Sequence, residues 1–338
     1  MKKMNRRDFI RLGGGSLLLG TALATSLAGC SSGGGEKTTS QGGGSLPTIK
    51  VGYLPITDHL TIISHAQTKF QKVNLEPVKF SSWPELAEAL KAGSVEAAFA
   101  LTPISLTLKQ KGVPIKGVLL GHRNGSVITV KVGNEINTVA DLKGKTIAIP
   151  SKFSTHNILL RKALTEKGID VNKDLKILDM APPEMVQALS SGQINGFIVA
   201  EPFGGQAELQ KVGKVLILSK DIWADHICCV LNVREDVITK NPEAVQELVD
   251  GFVATGQFIE ENRQEAADLS TKYLGQKPEV INHVLTNPKD RVTFDNLLPT
   301  IDDLKATQDY MLQFKIAEKP VDLATYLDDS FARKAYKL

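Results

Sequence analysis

The chain has 338 residues, 42% apolar and 23% charged, with 40 Lys/Arg against 37 Asp/Glu. Five of those bases and one of the acids fall within the first 29 residues, so the remainder is close to neutral. It carries no basic tail or Lys/Arg block, which excludes the usual electrostatic footprint of a nucleic-acid binder. At about 150 residues per domain, the length predicts two domains with substantial cores.

Asn5-Arg6-Arg7-Asp8-Phe9-Ile10 reads as a twin-arginine export address. An apolar run from Ser16 to Ala28 follows and ends in Leu27-Ala28-Gly29-Cys30. A charged start, apolar middle and small-residue end predict a signal peptide over residues 1–29. The last four residues look like a bacterial lipobox, which makes Cys30 the lipidated mature N-terminus. The alternatives are an ordinary signal and a membrane helix. The apolar run is about half a bilayer-spanning length and lies among Gly13, Gly14, Gly15 and Gly20, which argues against a permanent span. Residues 30–45 contain almost nothing to bury and predict a flexible tether. The expected location is outside the cytoplasm, lipid-anchored to the outer face of the cell membrane or in the periplasm.

Beyond the tether, short apolar strands alternate with amphipathic helices. Strands are predicted at Thr48–Tyr53, Val78–Phe80, Val95–Leu101 and Val113–Leu120. A helix should run from the Pro55–His59 break to about Phe70. Another runs from Trp83 to Ala92, opened by Pro84 and stopped by Gly93, and a third begins at Thr102-Pro103. The second block has strands at Ser126–Val132, Thr146–Ile149, Leu175–Leu178, Ile194–Ala200, Val215–Leu218 and Cys228–Val233. Its helices cover His156–Lys167, with Ser154-Thr155 at the N-cap, and Pro183–Ser190. From Pro242 onward the chain reads as helices, broken at Gly275–Pro278 and at Asn287-Pro288. This alternation predicts α/β architecture with parallel sheets and crossover helices. No repeat of fixed period is visible, so two lobes alike in structure need not be alike in sequence.

Adjacent Cys228 and Cys229 on a strand should face opposite ways and read as two buried thiols. A vicinal disulfide is the alternative in an oxidising compartment. Zinc is not expected, because no second Cys/His pair stands at ligand spacing. The sequence also lacks a Gly-x-Ser-x-Gly elbow, a His-Glu-x-x-His pair and a phosphate-cradling glycine loop. No cofactor, metal or catalytic residue is therefore assigned.

The segment Ser154-Thr155-His156-Asn157, with Arg161, Gly168-Ile169-Asp170, Pro182–Val186, Gly192 and Gly196–Phe203, resembles the substrate-binding proteins of nitrate/sulfonate/bicarbonate (taurine) ABC importers, the nitrate/bicarbonate branch above all. Gly52–Asp58, Ser82–Leu86, Asp141–Lys145 and Arg234-Glu235 agree in order, so the resemblance covers roughly residues 48–260. It implies a periplasmic-binding-protein fold of type II, two α/β lobes with a ligand cleft between them. The lobes are placed at 46–125 plus 234–338 and at 126–233. It also implies a non-catalytic receptor for a small solute, with ABC permease and ATPase subunits as partners and the lipid anchor keeping it near them.

A cleft of this kind gathers strand C-termini and helix N-termini, which suit oxyanions. The candidate ligand-binding residues are Thr57, Asp58, Trp83, Thr102, Ser154, Thr155, His156, Glu201 and His226. Capping is the competing reading for each hydroxyl, a satisfied buried imidazole for His156, a core indole for Trp83 and a hinge salt bridge for Glu201. His59, His65, His122 and His283 read as structural or exposed. The chain departs from the family pattern at His59-Leu60-Thr61-Ile62. Asp58 and Glu201 would repel a bare anion unless a cation, a protonated histidine or a ligand amine offsets them. An aminosulfonate zwitterion or an aromatic vitamin precursor stacked on Trp83 therefore stays open. So do an enzyme on the same fold, of pyrimidine-synthase or menaquinone-pathway type, and a solute-sensing lipoprotein without a permease.

Overall fold

The computed structural model describes residues 45–338. The export address, the lipidation of Cys30 and nearly all of the tether lie outside the described residues. Four strands come first among the described residues: β1 (Thr48–Tyr53), β2 (Asn74–Lys79), β3 (Ala97–Leu101) and β4 (Ile115–Leu120). The two-residue β5 (Arg123–Asn124) leads into β6 (Ser126–Lys131), β7 (Thr146–Ile149), β8 (Lys176–Asp179), β9 (Gly196–Ala200) and β10 (Gly213–Leu218). The chain then returns through β11 (Cys229–Arg234), and β12 (Val292–Thr293) pairs with β5.

The strands form two five-stranded sheets, in the orders β2-β1-β3-β11-β4 and β8-β7-β9-β6-β10. The two orders are equivalent. In each, a strand and its two sequence successors run parallel, with the earliest in the middle. In each, the fourth position is an antiparallel strand that arrives from the other sheet, β11 in the first and β6 in the second. β3 (AAFAL) and β9 (GFIVA) are buried throughout, as apolar runs in helix-covered parallel sheets must be.

Helix boundaries follow local chemistry. Pro84 sits in the first turn of Trp83–Ala92, and Gly93 ends that helix in the left-handed region at φ 73°. Pro182 and Pro183 open Pro182–Ser191, and Gly192 closes it at φ 79°. Only glycine takes that conformation without a Cβ penalty.

Two expectations need correction. The single helix expected to reach Phe70 is a 3-10 segment, Thr57–Ile63, followed by one turn of α-helix, Ser64–Gln67. β11 pairs with β3 and β4, so residues 229–233 belong to the first sheet and the return crossing comes before Cys229, not at 233/234. Periodicity marks a strand but cannot say which sheet receives it. The C-terminal helices also touch both sides. Ile301–Gln313 packs against Thr102–Gln110 and Thr155–Thr165, and Pro278–Thr286 packs on Phe203–Leu209.

Candidate functional site

The C-terminal ends of the parallel strands face one another across the two sheets. Thr57-Asp58 follows β1, Thr102 follows β3, Thr155-His156 follows β7 and Glu201 follows β9. The two sheets are linked here by main chain: the Thr57 N–H donates to the Glu201 carbonyl at 2.7 Å. Every predicted ligand-binding residue is buried.

Some of them already have partners. The Ser154 hydroxyl caps Thr155–Thr165 by accepting from the Asn157 N–H at 3.1 Å, and it donates to the Ser151 carbonyl at 2.6 Å. The Thr102 and Thr155 hydroxyls donate to the Cys228 carbonyl at 3.0 and 3.4 Å. The Glu201 carboxylate accepts from Arg291 Nε at 2.7 Å and from the Gly205 N–H at 3.0 Å. Arg291 also reaches Glu208 at 3.1 Å. In this closed arrangement Ser154, Thr102 and Glu201 hold the frame of the site.

The others have polar atoms with no partner. Among the described residues, Thr57 Oγ1, both Asp58 oxygens, His59 Nε2, Trp83 Nε1, both His122 nitrogens, His156 Nδ1 and His226 Nε2 are buried and lack an aligned hydrogen bond. Each such atom costs about 1–3 kcal/mol when nothing meets it. The remaining imidazole nitrogens are engaged: His156 Nε2 lies 3.1 Å from Ser126 Oγ, His226 Nδ1 2.9 Å from the Trp223 carbonyl, and His59 Nδ1 accepts from the Leu54 N–H at 3.0 Å. His59 stacks on Phe99 and meets Trp83 edge-on.

His122 and His59, which read as structural or exposed in the sequence, belong to this cluster. His122 Nε2 lies 2.9 Å from Asp58 Oδ2, with both side chains fully buried. Burial pushes the Asp58 carboxyl up to about 8, against the pull of His122. Burial opposes charge on His122 as well, but Asp58 and Cys228 outweigh it and raise that imidazole to about 10. Burial holds His226 down at about 4 and His59 at about 3, and it lowers His156. Burial also works against a thiolate at Cys228, but contact with the Cys229 thiol and the imidazoles of His156 and His122 carries it well below the usual thiol range. Cys229 is pushed up by burial and by Cys228.

The two cysteines are free, and the expectation that they face opposite ways does not hold. Cys228 precedes β11, outside its regular alternation. Asp58, His122, Cys228 and Cys229 each offer a ligand atom within 4.8 Å of the others. Residues this far apart in sequence leave no spacing signal; the one visible hint is the His226-Ile227-Cys228-Cys229 run.

Two clefts flank Trp83. One, of about 260 Å³, runs between Ile104–Lys111 and Ser151–Phe153; the other, of about 210 Å³, runs between Ser82–Pro84 and Pro150–Pro182. A further hollow, about 540 Å³ around Arg123 and Asp303, is lined by none of the predicted residues.

The NMT1-like family profile matches residues 42–274. The chain is 31% identical over 268 residues to the nitrate import ATP-binding protein NrtC of Synechocystis sp., an overlap of 71% of this chain and 40% of that protein. It is 27% identical over 311 residues to the nitrate/nitrite binding protein NrtA of Nostoc sp., covering 78% and 69%. The chain thus spans about two fifths of the NrtC relative's length. A solved structure, the ligand-binding component of an ABC-type import system from Staphylococcus aureus with zinc bound, superposes with a TM-score of 0.78 at 29% identity, covering 86% of this chain and 99% of that one. The two equivalent sheets and their exchanged strands are those of the periplasmic-binding-protein fold. With more than half of its length matched by one family profile, the chain belongs to the NMT1-like family.

Proposed function

We propose that this chain is the extracytoplasmic solute-binding component of an ABC import system, and that it carries a small oxyanion or sulfonate-type solute of the nitrate/sulfonate/bicarbonate class. The observation that carries the reading is the buried cluster between two equivalent sheets, where unpartnered groups, among them the Trp83 indole N–H and the Thr57 hydroxyl, converge at strand C-termini. Such ends favour anions, because free backbone N–H groups and helix dipoles point toward them. Lobes of this kind enclose a solute by hinge motion.

Pairing answers the objection raised by the two carboxylates. Glu201 is neutralised by Arg291. Asp58 is paired with His122 at 2.9 Å, both fully buried, so an arriving anion meets two paired carboxylates instead of two bare ones. The names of the NrtA and NrtC relatives and of the staphylococcal structure support import of a small solute. Those relatives act in solute binding and import, which favours a receptor over an enzyme. A permease and an ATPase are the expected partners, with Cys30 as the lipid anchor.

The reading is tested by calorimetric titration of the purified chain with nitrate, bicarbonate, taurine and an alkanesulfonate. One of these should bind at one site per chain with micromolar or tighter affinity. Silence across all four would overturn the assigned solute class.

A further inference from the structure

We propose that Asp58, His122, Cys228 and Cys229 form a binding site for a single thiophilic cation of the zinc class, independently of which solute the protein carries.

The geometry is that of a site one step from closure. Four ligand atoms of three chemical kinds lie within 4.8 Å of one another. Tetrahedral zinc with bonds of about 2.0–2.3 Å spaces its ligand atoms about 3.3–3.8 Å apart, so a small contraction around an ion suffices. His122 Nε2 and Asp58 Oδ2 are already 2.9 Å apart and would open slightly to admit it.

A second observation is independent of proximity. Both Asp58 oxygens and His122 Nε2 are fully buried and have no aligned hydrogen-bond partner, and both thiols are free. A folded chain that gains nothing from these groups would carry several kcal/mol of uncompensated desolvation. An ion that coordinates them removes that cost at once.

The surroundings are shaped to hold the set in place. The Cys228 carbonyl accepts from the Thr102 N–H, the Thr102 hydroxyl and the Thr155 hydroxyl, which anchors it to both sheets. A Cβ at Gly125 would stand 2.6 Å from Asp58 Oδ1 and 2.9 Å from His122 Nδ1; at Gly121 it would stand 2.9 Å from the Asp58 carbonyl. Only residues without side chains let the carboxylate and imidazole approach. Supporting contacts of this kind fix ligand orientation and tune affinity.

The donor set selects the metal. Two sulfurs and an imidazole favour zinc and other thiophilic ions, whereas magnesium and calcium take oxygen.

Cobalt(II), which reports thiolate coordination by its colour, is the direct probe. The EDTA-stripped chain under a non-thiol reductant should saturate with one cobalt per chain. It should show thiolate-to-cobalt charge-transfer absorption and intense tetrahedral ligand-field bands, both abolished by one equivalent of zinc. Cys228→Ser combined with Cys229→Ser should remove the charge-transfer band and weaken zinc binding at least about 100-fold. A weak, octahedral, water-like cobalt spectrum in the unmodified chain would overturn the proposal. So would unchanged zinc affinity in a folded double variant. The first readout needs no variant, so a folding failure in the mutant leaves the test intact. The anion titrations, run on the same stripped chain, report on the solute class separately.

Discussion

At the scale of single residues, hydrogen-bond partners separate the buried side chains that serve as frame from those with groups still free. Ser154, Thr102 and Glu201 have their polar atoms met by the protein itself. Asp58, His122, His156 and His226 each keep at least one polar atom without an aligned partner. The pairing of Glu201 with Arg291 shows how much a met charge is worth. Glu201 is fully buried, and Arg291 serves it and Glu208 together. Arg291→Met keeps bulk but strands a carboxylate without its cation. The expected loss is about 3–5 kcal/mol in urea unfolding. A loss below about 1 kcal/mol would mean that Glu201 finds water or a proton instead.

At the scale of elements, ends matter more than middles. The helix Thr155–Thr165 begins at the buried polar cluster, and Ser154 caps it. Ser154→Ala should cost about 1 kcal/mol and speed amide exchange at Asn157, whose N–H would lose its acceptor. Unchanged exchange there would show that the first turn is held by packing alone. Helix starts and stops at Pro84, Gly93, Pro182 and Gly192 are legible in the chain because proline and glycine act locally. The strands β3 and β9 are legible as unbroken apolar runs. The crossover before β11 is not, because sheet membership depends on partners more than a hundred residues away. The 3-10 turn that carries Thr57 and Asp58 is equally hidden. Its apolar pattern fits an α-helix, but His59 breaks from helical geometry at φ −110°, where its imidazole takes the Leu54 N–H.

At the scale of the whole molecule, the two sheets share a buried polar cluster, and its titration contributes to acid stability. His59 and His226 stay neutral when folded down to about 3 and 4, and burial lowers His156 as well. In the unfolded chain each takes a proton near 6.5. Between about pH 6.5 and 4 the unfolded state therefore binds more protons, and stability falls as pH falls. Asp58 works the other way in this window, since the folded state holds its proton up to about 8, but the histidines outnumber it. His122 is charged in both states at the acid end and contributes little there. With EDTA present, the unfolding midpoint should drop steadily from pH 6.5 to 4, by up to about 1.4 kcal/mol per pH unit for each net proton. A flat profile over that range would show that these imidazoles are solvated. The C-terminal helices add a second global feature. They pack against helices that flank both sheets, so any opening must part the contacts of Arg291 or carry those helices with one sheet.

The sequence alone determined the α/β alternation, the helix ends marked by proline and glycine, and the family, because each rests on local pattern or on motifs read in order. It could not determine that His122 meets Asp58, that Cys228 and Cys229 face one cluster, or that Arg291 neutralises Glu201. Those pairings join positions 58 with 122, 122 with 228 and 201 with 291. Only folding brings them within bonding distance, and only burial, by removing water, turns nearness into shifted protons and an unmet demand for a ligand.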